Sequence, residues 1–159
     1  MRIRQFRDED FDAVLKITLL AFAPIHESFH NILGDQIFNI VYPDWRESYR
    51  QYLKSLTRSQ DKENFLVAEE NDLVIGYIVY SMNADKKFGE LGLNAVHPDH
   101  QNKGVGFQMY ESVLTRMKEQ GIALVEVSTG GYFSHAPARR AYEKCGFTPL
   151  PLVRYYKAV

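Results

Sequence analysis

The sequence predicts a single domain of mixed α and β structure, a mixed sheet covered by helices. Three observations carry that prediction. Apolar residues repeat at helical spacing over residues 11–56, β-rich runs replace them from Phe65 onward, and beyond Val96 helical segments alternate with strands and stop at glycines.

Arg2-Ile3-Arg4-Gln5-Phe6 alternates polar and apolar residues, as a short half-buried strand does. Asp8 is placed to cap the helix that follows, with acidic residues in a first turn where the helix dipole favours them. Phe11, Val14, Leu15, Thr18, Leu19 and Phe22 share one face of that helix. Pro24 is expected to interrupt it, a second helical stretch to run from about Ile25 to Leu33, and Gly34 to end it. Trp45, Tyr49, Tyr52, Leu53 and Leu56 share a face of a third helix. Phe65–Ala68 and Leu73–Tyr80 read as strands of a hairpin turned at Asn71-Asp72, two residues that tolerate left-handed backbone. A further strand fits Glu90–Val96. A long helix, Gly104–Gln120, carries Val105, Met109, Val113 and Met117 on one stripe and stops at Gly121. Ile122–Val127 is a strand and Ala136–Lys144 a helix stopped by Gly146; the tail 147–157 is expected to form a terminal hairpin broken by Pro149 and Pro151.

At 159 residues the chain has the length of one domain, taken here as residues 1–159. Its net charge of -1 argues against a nucleic-acid partner, which selects a strongly basic face. No apolar run approaches the ~20 residues of a membrane span, and the acidic start after Phe6 offers no signal-peptide core. The one cysteine, Cys145, fits a reducing compartment and is read as packing. A cytoplasmic protein is expected.

The stretch that carries chemistry is Leu91-Gly92-Leu93-Asn94-Ala95-Val96-His97-Pro98-Asp99-His100-Gln101-Asn102-Lys103-Gly104-Val105-Gly106. A strand runs into a turn, and a glycine-bearing loop opens directly into a helix. The first amides of a helix lack partners and point outward, where the dipole adds partial positive charge, so the arrangement suits an anion. Gly104 and Gly106 remove side chains that would hold a pyrophosphate off the backbone. The spacing fits neither a nucleoside-triphosphate loop nor a dinucleotide fingerprint. On its own the loop reads equally well as an ordinary strand–loop–helix junction.

A second segment decides between the two. Ala95-Val96-His97-Pro98 followed by Gln101-Asn102-Lys103-Gly104-Val105-Gly106, and then Ala138-Arg139-Arg140-Ala141-Tyr142-Glu143-Lys144-Cys145-Gly146-Phe147, resemble the coenzyme-A-binding motif and the second signature of the GNAT superfamily of N-acetyltransferases. The resemblance is strong from Asn64 to Phe147 and weak before. It implies a mixed, mostly antiparallel sheet of about six to seven strands flanked by helices. It also implies acetyl-CoA as co-substrate, no metal, and transfer of an acetyl group to the primary amine of a small molecule or peptide. By that resemblance the backbone of Ala95 and Val96 binds pantetheine, the loop Gln101, Asn102, Lys103, Gly104, Val105 and Gly106 holds the pyrophosphate, and Tyr142 is the general acid. A phenol suits the last role, being protonated at neutral pH and able to donate to a departing thiolate. Relatives that acetylate histones carry a catalytic glutamate where this chain has Glu90, the first candidate for the base. Strand alternation puts Glu90, Gly92, Asn94 and Val96 on one face, so Asn94 is expected at the acceptor's cleft. Many relatives carry an asparagine against pantetheine three residues before the alanine matching Ala138; here His135 stands there. The resemblance leaves a homodimer open.

Two other readings remain. His26-Glu27-Ser28-Phe29-His30 matches the zinc-protease pattern, although no third ligand follows at the required spacing. By the resemblance this segment lines the acceptor side, where His26, Glu27 or His30 meets the amine; otherwise it is simply a solvated helix face. The alternative from a different class is a sensor or regulatory protein that binds acetyl-CoA without turnover.

Overall fold

The computed structural model describes residues 1–58 and 60–159, without the side chains of residues 60 and 61. A five-stranded sheet runs in the order β1 (Arg2–Gln5), β2 (Phe65–Glu70), β3 (Leu73–Asn83), β4 (Phe88–Val96) and β5 (Leu124–Val127). The first three pairings are antiparallel and β4 with β5 is parallel. Helices α1 (Phe11–Val41) and α2 (Trp45–Arg58) cover one face, and α3 (Val105–Glu119) and α4 (Ala136–Lys144) the other. Among the described residues no helix is long and apolar enough to cross a membrane.

Most elements follow from local chemistry. The β2–β3 turn has Asn71 at φ 51° and Asp72 at φ 61°, both left-handed as a tight hairpin requires. The stripe Val105, Met109, Val113 and Met117 is buried on Leu66, Ile78 and Leu91, each side chain contributing about 1.5–3 kcal/mol. On the other face Val14, Ile17 and Leu53 pack on Phe65, Val67 and Tyr77. The buried Tyr77 hydroxyl is satisfied by the Thr18 hydroxyl at 2.7 Å, which also reaches the Val14 carbonyl at 2.8 Å.

Three expectations are corrected. Helix α1 continues through Pro24 and breaks instead at Gly34, whose φ of 71° and ψ of 167° leave the helical region. The carbonyl that Pro24 deprives of its donor belongs to Leu20, which is exposed, so water can serve it. The sheet has five strands, not six or seven, because residues 147–157 form no strand. Pro149 and Pro151 lie two apart, so their missing N–H groups fall on the same edge and remove two successive ladder donors. The cap expected of Asp8 does not form either: Asp8 accepts from Lys62 at 2.7 Å, and Asp10, which precedes α1, makes no side-chain cap but accepts the Arg7 amide at 2.7 Å while Arg4 grips both its oxygens at 2.7 and 2.8 Å.

Strand β4 carries the irregularity that shapes the site. Ile78 pairs with Asn94 but Tyr80 pairs with Leu91, so β4 holds one extra residue around Gly92-Leu93. Its pairing with β5 begins at Phe88↔Leu124 and ends at Leu91↔Val127. From Gly92 to Val96, β4 has no partner on its β5 side among the described residues.

Candidate active site

The bulge breaks the alternation expected of β4. Leu91 packs on the α3 face, so Glu90 points to the opposite face, the one α1 and α2 cover. Past the extra residue Leu93 and Ala95 pack towards α1, while Asn94 turns to the α3 side. Glu90 and Asn94 therefore lie on opposite faces, not on one face as strict alternation required. Glu90 is exposed, with Ser81 beside it on β3 and Glu126 beside it on β5.

Asn94 is held between two phenols. Its Oδ1 accepts from the Tyr110 hydroxyl at 2.8 Å, its Nδ2 donates to the Tyr142 hydroxyl at 3.3 Å, and the two tyrosine rings are 4.9 Å apart. Tyr142 is 7% exposed. Burial raises its pKa above that of a free phenol, against opposing contributions from Asn94 and Tyr110. The hydroxyl is thus a proton donor at any physiological pH, fixed where β4 parts from β5. Neither Tyr110 nor the bulge announced itself in the sequence: Tyr110 reads as one more apolar position of α3, next to its buried stripe.

The loop between β4 and α3 presents backbone. Gly104 caps α3 with φ 80° and an added Cβ there would meet nothing within 4 Å; the helix has no side-chain cap and no acid in its first turn. Asn102 is also left-handed, at φ 59°. Gln101 turns back and donates to the Val96 carbonyl at 3.0 Å, and Lys103 donates to the Asp99 carbonyl at 2.8 Å. These contacts staple the loop to the end of β4, and Val105 and Gly106 open α3, where the first amides of a helix lack intrahelical partners. Val105 itself is buried, and Ala138 packs from α4 against the same core. The residues present fit an anionic chain entering over Gly104 and running along the free edge of β4.

His135 opens α4, half-buried, its ring against Phe29 of α1 at 5.8 Å and 24°. Burial, then the neighbouring Arg139, lowers its pKa, so the ring is neutral around pH 7. Burial also pushes the Cys145 thiol up to about 11, which agrees with a packing role.

Residues 34–147 match the model of the Acetyltransferase (GNAT) family. The chain belongs to this family. It is 30% identical over 92 residues to an amino-acid acetyltransferase of Pseudomonas fluorescens, covering 58% of this chain and 21% of that protein. It is 24% identical over 152 residues to a mycothiol acetyltransferase of Propionibacterium freudenreichii, covering 93% of this chain and 43% of that one. The chain thus spans less than half the length of either curated relative. Its fold is similar to the crystal structure of a GNAT family acetyltransferase from Brucella melitensis in complex with acetyl-CoA, with TM-score 0.63, 22% identity, and coverage of 93% of this chain and 82% of that one.

The His26–His30 pair of this GNAT domain does not converge on one point. His30 Nε2 is 2.6 Å from Asp35, whereas His26 is 4% exposed and stacked on Trp45 at 4.2 Å and 4°. Among the described residues no group of three or more metal-ligating side chains comes together. Burial, then the Arg46 and His135 charges, lowers the His26 pKa to about 4. An unfolded imidazole titrates near ~6.5. Between those values the unfolded chain takes up a proton that the folded chain refuses, so stability falls as pH drops from about 6.5 to about 4, by up to about 3 kcal/mol, and then levels off. Above that window the ring is neutral in both states. Urea unfolding at pH 7 and pH 4.5 should show this loss, and His26→Phe should reduce it; parallel loss in both proteins would place the acid sensitivity elsewhere.

Proposed function

We propose that the chain is an N-acetyltransferase that moves an acetyl group from acetyl-CoA to the primary amine of a small molecule or peptide. The observation that carries this reading is the Tyr142 hydroxyl, fixed by Asn94 at the point where β4 leaves β5, with the uncapped end of α3 at the far end of the same free edge. The acetyl-CoA bound by the Brucella relative supports the choice of donor.

In this reading the amides of Gly104, Val105 and Gly106 take the pyrophosphate, and the backbone of β4 near Ala95 and Val96 takes pantetheine in place of the missing strand. His135 stands where many family members place an asparagine against pantetheine. The amine approaches from the α1 side and attacks the thioester carbonyl. As the C–S bond breaks, the thiolate takes the Tyr142 proton; Asn94 positions that hydroxyl and Tyr110 positions Asn94. The proton lost by the ammonium goes to Glu90, directly or through water. Acid and base then flank β4 from opposite faces, so the donor's leaving group and the incoming amine do not compete for the same space.

The base assignment has its own test. An alkylammonium of pKa near ~10.4 is mostly protonated at neutral pH, and the fraction needing a base rises as pH falls. Glu90→Gln should therefore depress the acetylation rate most below neutrality and least at high pH, while Glu126→Gln, its neighbour in register, should leave the profile unchanged. A Glu90→Gln profile that overlays wild type would remove Glu90 from the mechanism.

A further inference from the structure

The bulge leaves Gly92 and Leu93 out of register with β3, and the pairing of β4 with β5 has already ended at Leu91. A side chain takes up the Gly92 carbonyl instead: Asn94 Nδ2 donates to it at 2.9 Å. A carbonyl can only accept, so this contact fixes which way round the Asn94 amide lies. Turned over, Oδ1 would face the Gly92 oxygen and two acceptors would oppose each other.

The orientation of that amide dictates the direction of both phenol contacts. Oδ1 lies towards Tyr110 at 2.8 Å, so the Tyr110 hydroxyl must donate. Nδ2 lies 3.3 Å from the Tyr142 hydroxyl, which therefore accepts and keeps its own hydrogen free. An amide has two N–H donors, and Gly92 and Tyr142 use both. Tyr110 is 4% exposed and Tyr142 7%, so neither hydroxyl has bulk water as a ready substitute. Burial resists a phenolate at Tyr142, while Asn94 and then Tyr110 favour it. That is the sense expected of donors gathered around the oxygen of an acid.

We propose that the Gly92 carbonyl and Tyr110 are positioning groups for the proton transfer: they run the hydrogen bonds one way, from Tyr110 to Asn94 to Tyr142, and leave the Tyr142 hydrogen for the sulfur of the cofactor. The proposal rests on the acetyltransferase reading above. As the C–S bond breaks, its electron pair goes to sulfur and the Tyr142 proton follows, giving the thiol. The phenolate left behind keeps the Asn94 N–H, and water returns its proton once the thiol has departed. The extra residue of β4 thus sets the polarity of the acid as well as the face on which Asn94 lies.

The test uses coenzyme A itself and needs no acceptor. Thiolate absorbance follows the titration of the bound coenzyme A thiol in wild type, Tyr142→Phe, Tyr110→Phe and the double variant. A hydrogen donated to sulfur favours the thiolate, so Tyr142→Phe should lower the thiol's ionisation constant about tenfold. In Tyr110→Phe the Asn94 Oδ1 loses its donor and takes the Tyr142 hydrogen, so the constant should fall about threefold. In the double variant it should fall no further than in Tyr142→Phe alone. Asn94→Asp puts an acceptor where Nδ2 donated; it should shift the thiol about tenfold more in wild type than in Tyr142→Phe. Tyr110→Phe removes one oxygen from a ring that packs on Tyr142, so it remains informative if the aspartate variant does not fold. A thiol indifferent to Tyr142→Phe, a Tyr110→Phe that titrates as wild type, or shifts equal with and without the Tyr142 hydroxyl would each overturn the proposal, with coenzyme A binding still intact. A folded wild type that binds no coenzyme A would overturn the acetyltransferase reading as well.

Discussion

Tyr142→Phe is expected to lower turnover about 10²-fold while leaving acetyl-CoA affinity within a small factor of wild type. A positioned proton donor contributes ~10²–10⁴-fold when it acts on the leaving group in the transition state. The substitution removes one oxygen and keeps the ring that packs on Tyr110 and Phe147, so the fold should survive. In the proposed reading, ground-state contacts to the cofactor come from α3 and β4 and are untouched, which is why kcat and not binding should carry the loss. Asn94→Ala should reproduce part of it, since the Tyr142 hydroxyl then keeps its burial but loses its orientation. The check is steady-state kinetics beside a binding titration; full turnover in Tyr142→Phe would reduce the residue to core packing.

Gly104→Glu is expected to weaken coenzyme A binding by 10²-fold or more. Two effects act together: a carboxylate placed at the mouth of an anion site, and a side chain forced onto a left-handed backbone at φ 80°. Gly104→Asn separates them. Asparagine tolerates left-handed geometry and adds no charge, and the space beside Gly104 is open, so most of the affinity should remain. Equal losses in both variants would mean that backbone strain, not anion repulsion, is responsible.

The site was legible in the sequence where it depends on neighbours in the chain. The Gln101–Gly106 loop, the α3 stripe, the Tyr142 helix and the Asn71-Asp72 turn all carry their geometry in a few adjacent residues. What escaped depends on partners far away. The extra residue of β4 exists only in its register with β3, and it alone moves Asn94 from the face of Glu90 to the face of Tyr142. Pro24 looked like a helix end because the exposure of Leu20 is a tertiary fact. His26 read as a surface ligand or metal residue because only the return of the chain after Gly34 brings Phe38, Tyr42 and Trp45 around it. The tail differs again: Pro149 and Pro151 outweigh the pairing tendency of the apolar residues around them.

The most direct test of the central claim is isothermal titration of the purified protein with acetyl-CoA and with free coenzyme A. The arrangement of α3, the open edge of β4 and Tyr142 predicts micromolar binding of both, lost in Gly104→Glu. Absence of binding by a folded wild-type protein would contradict it.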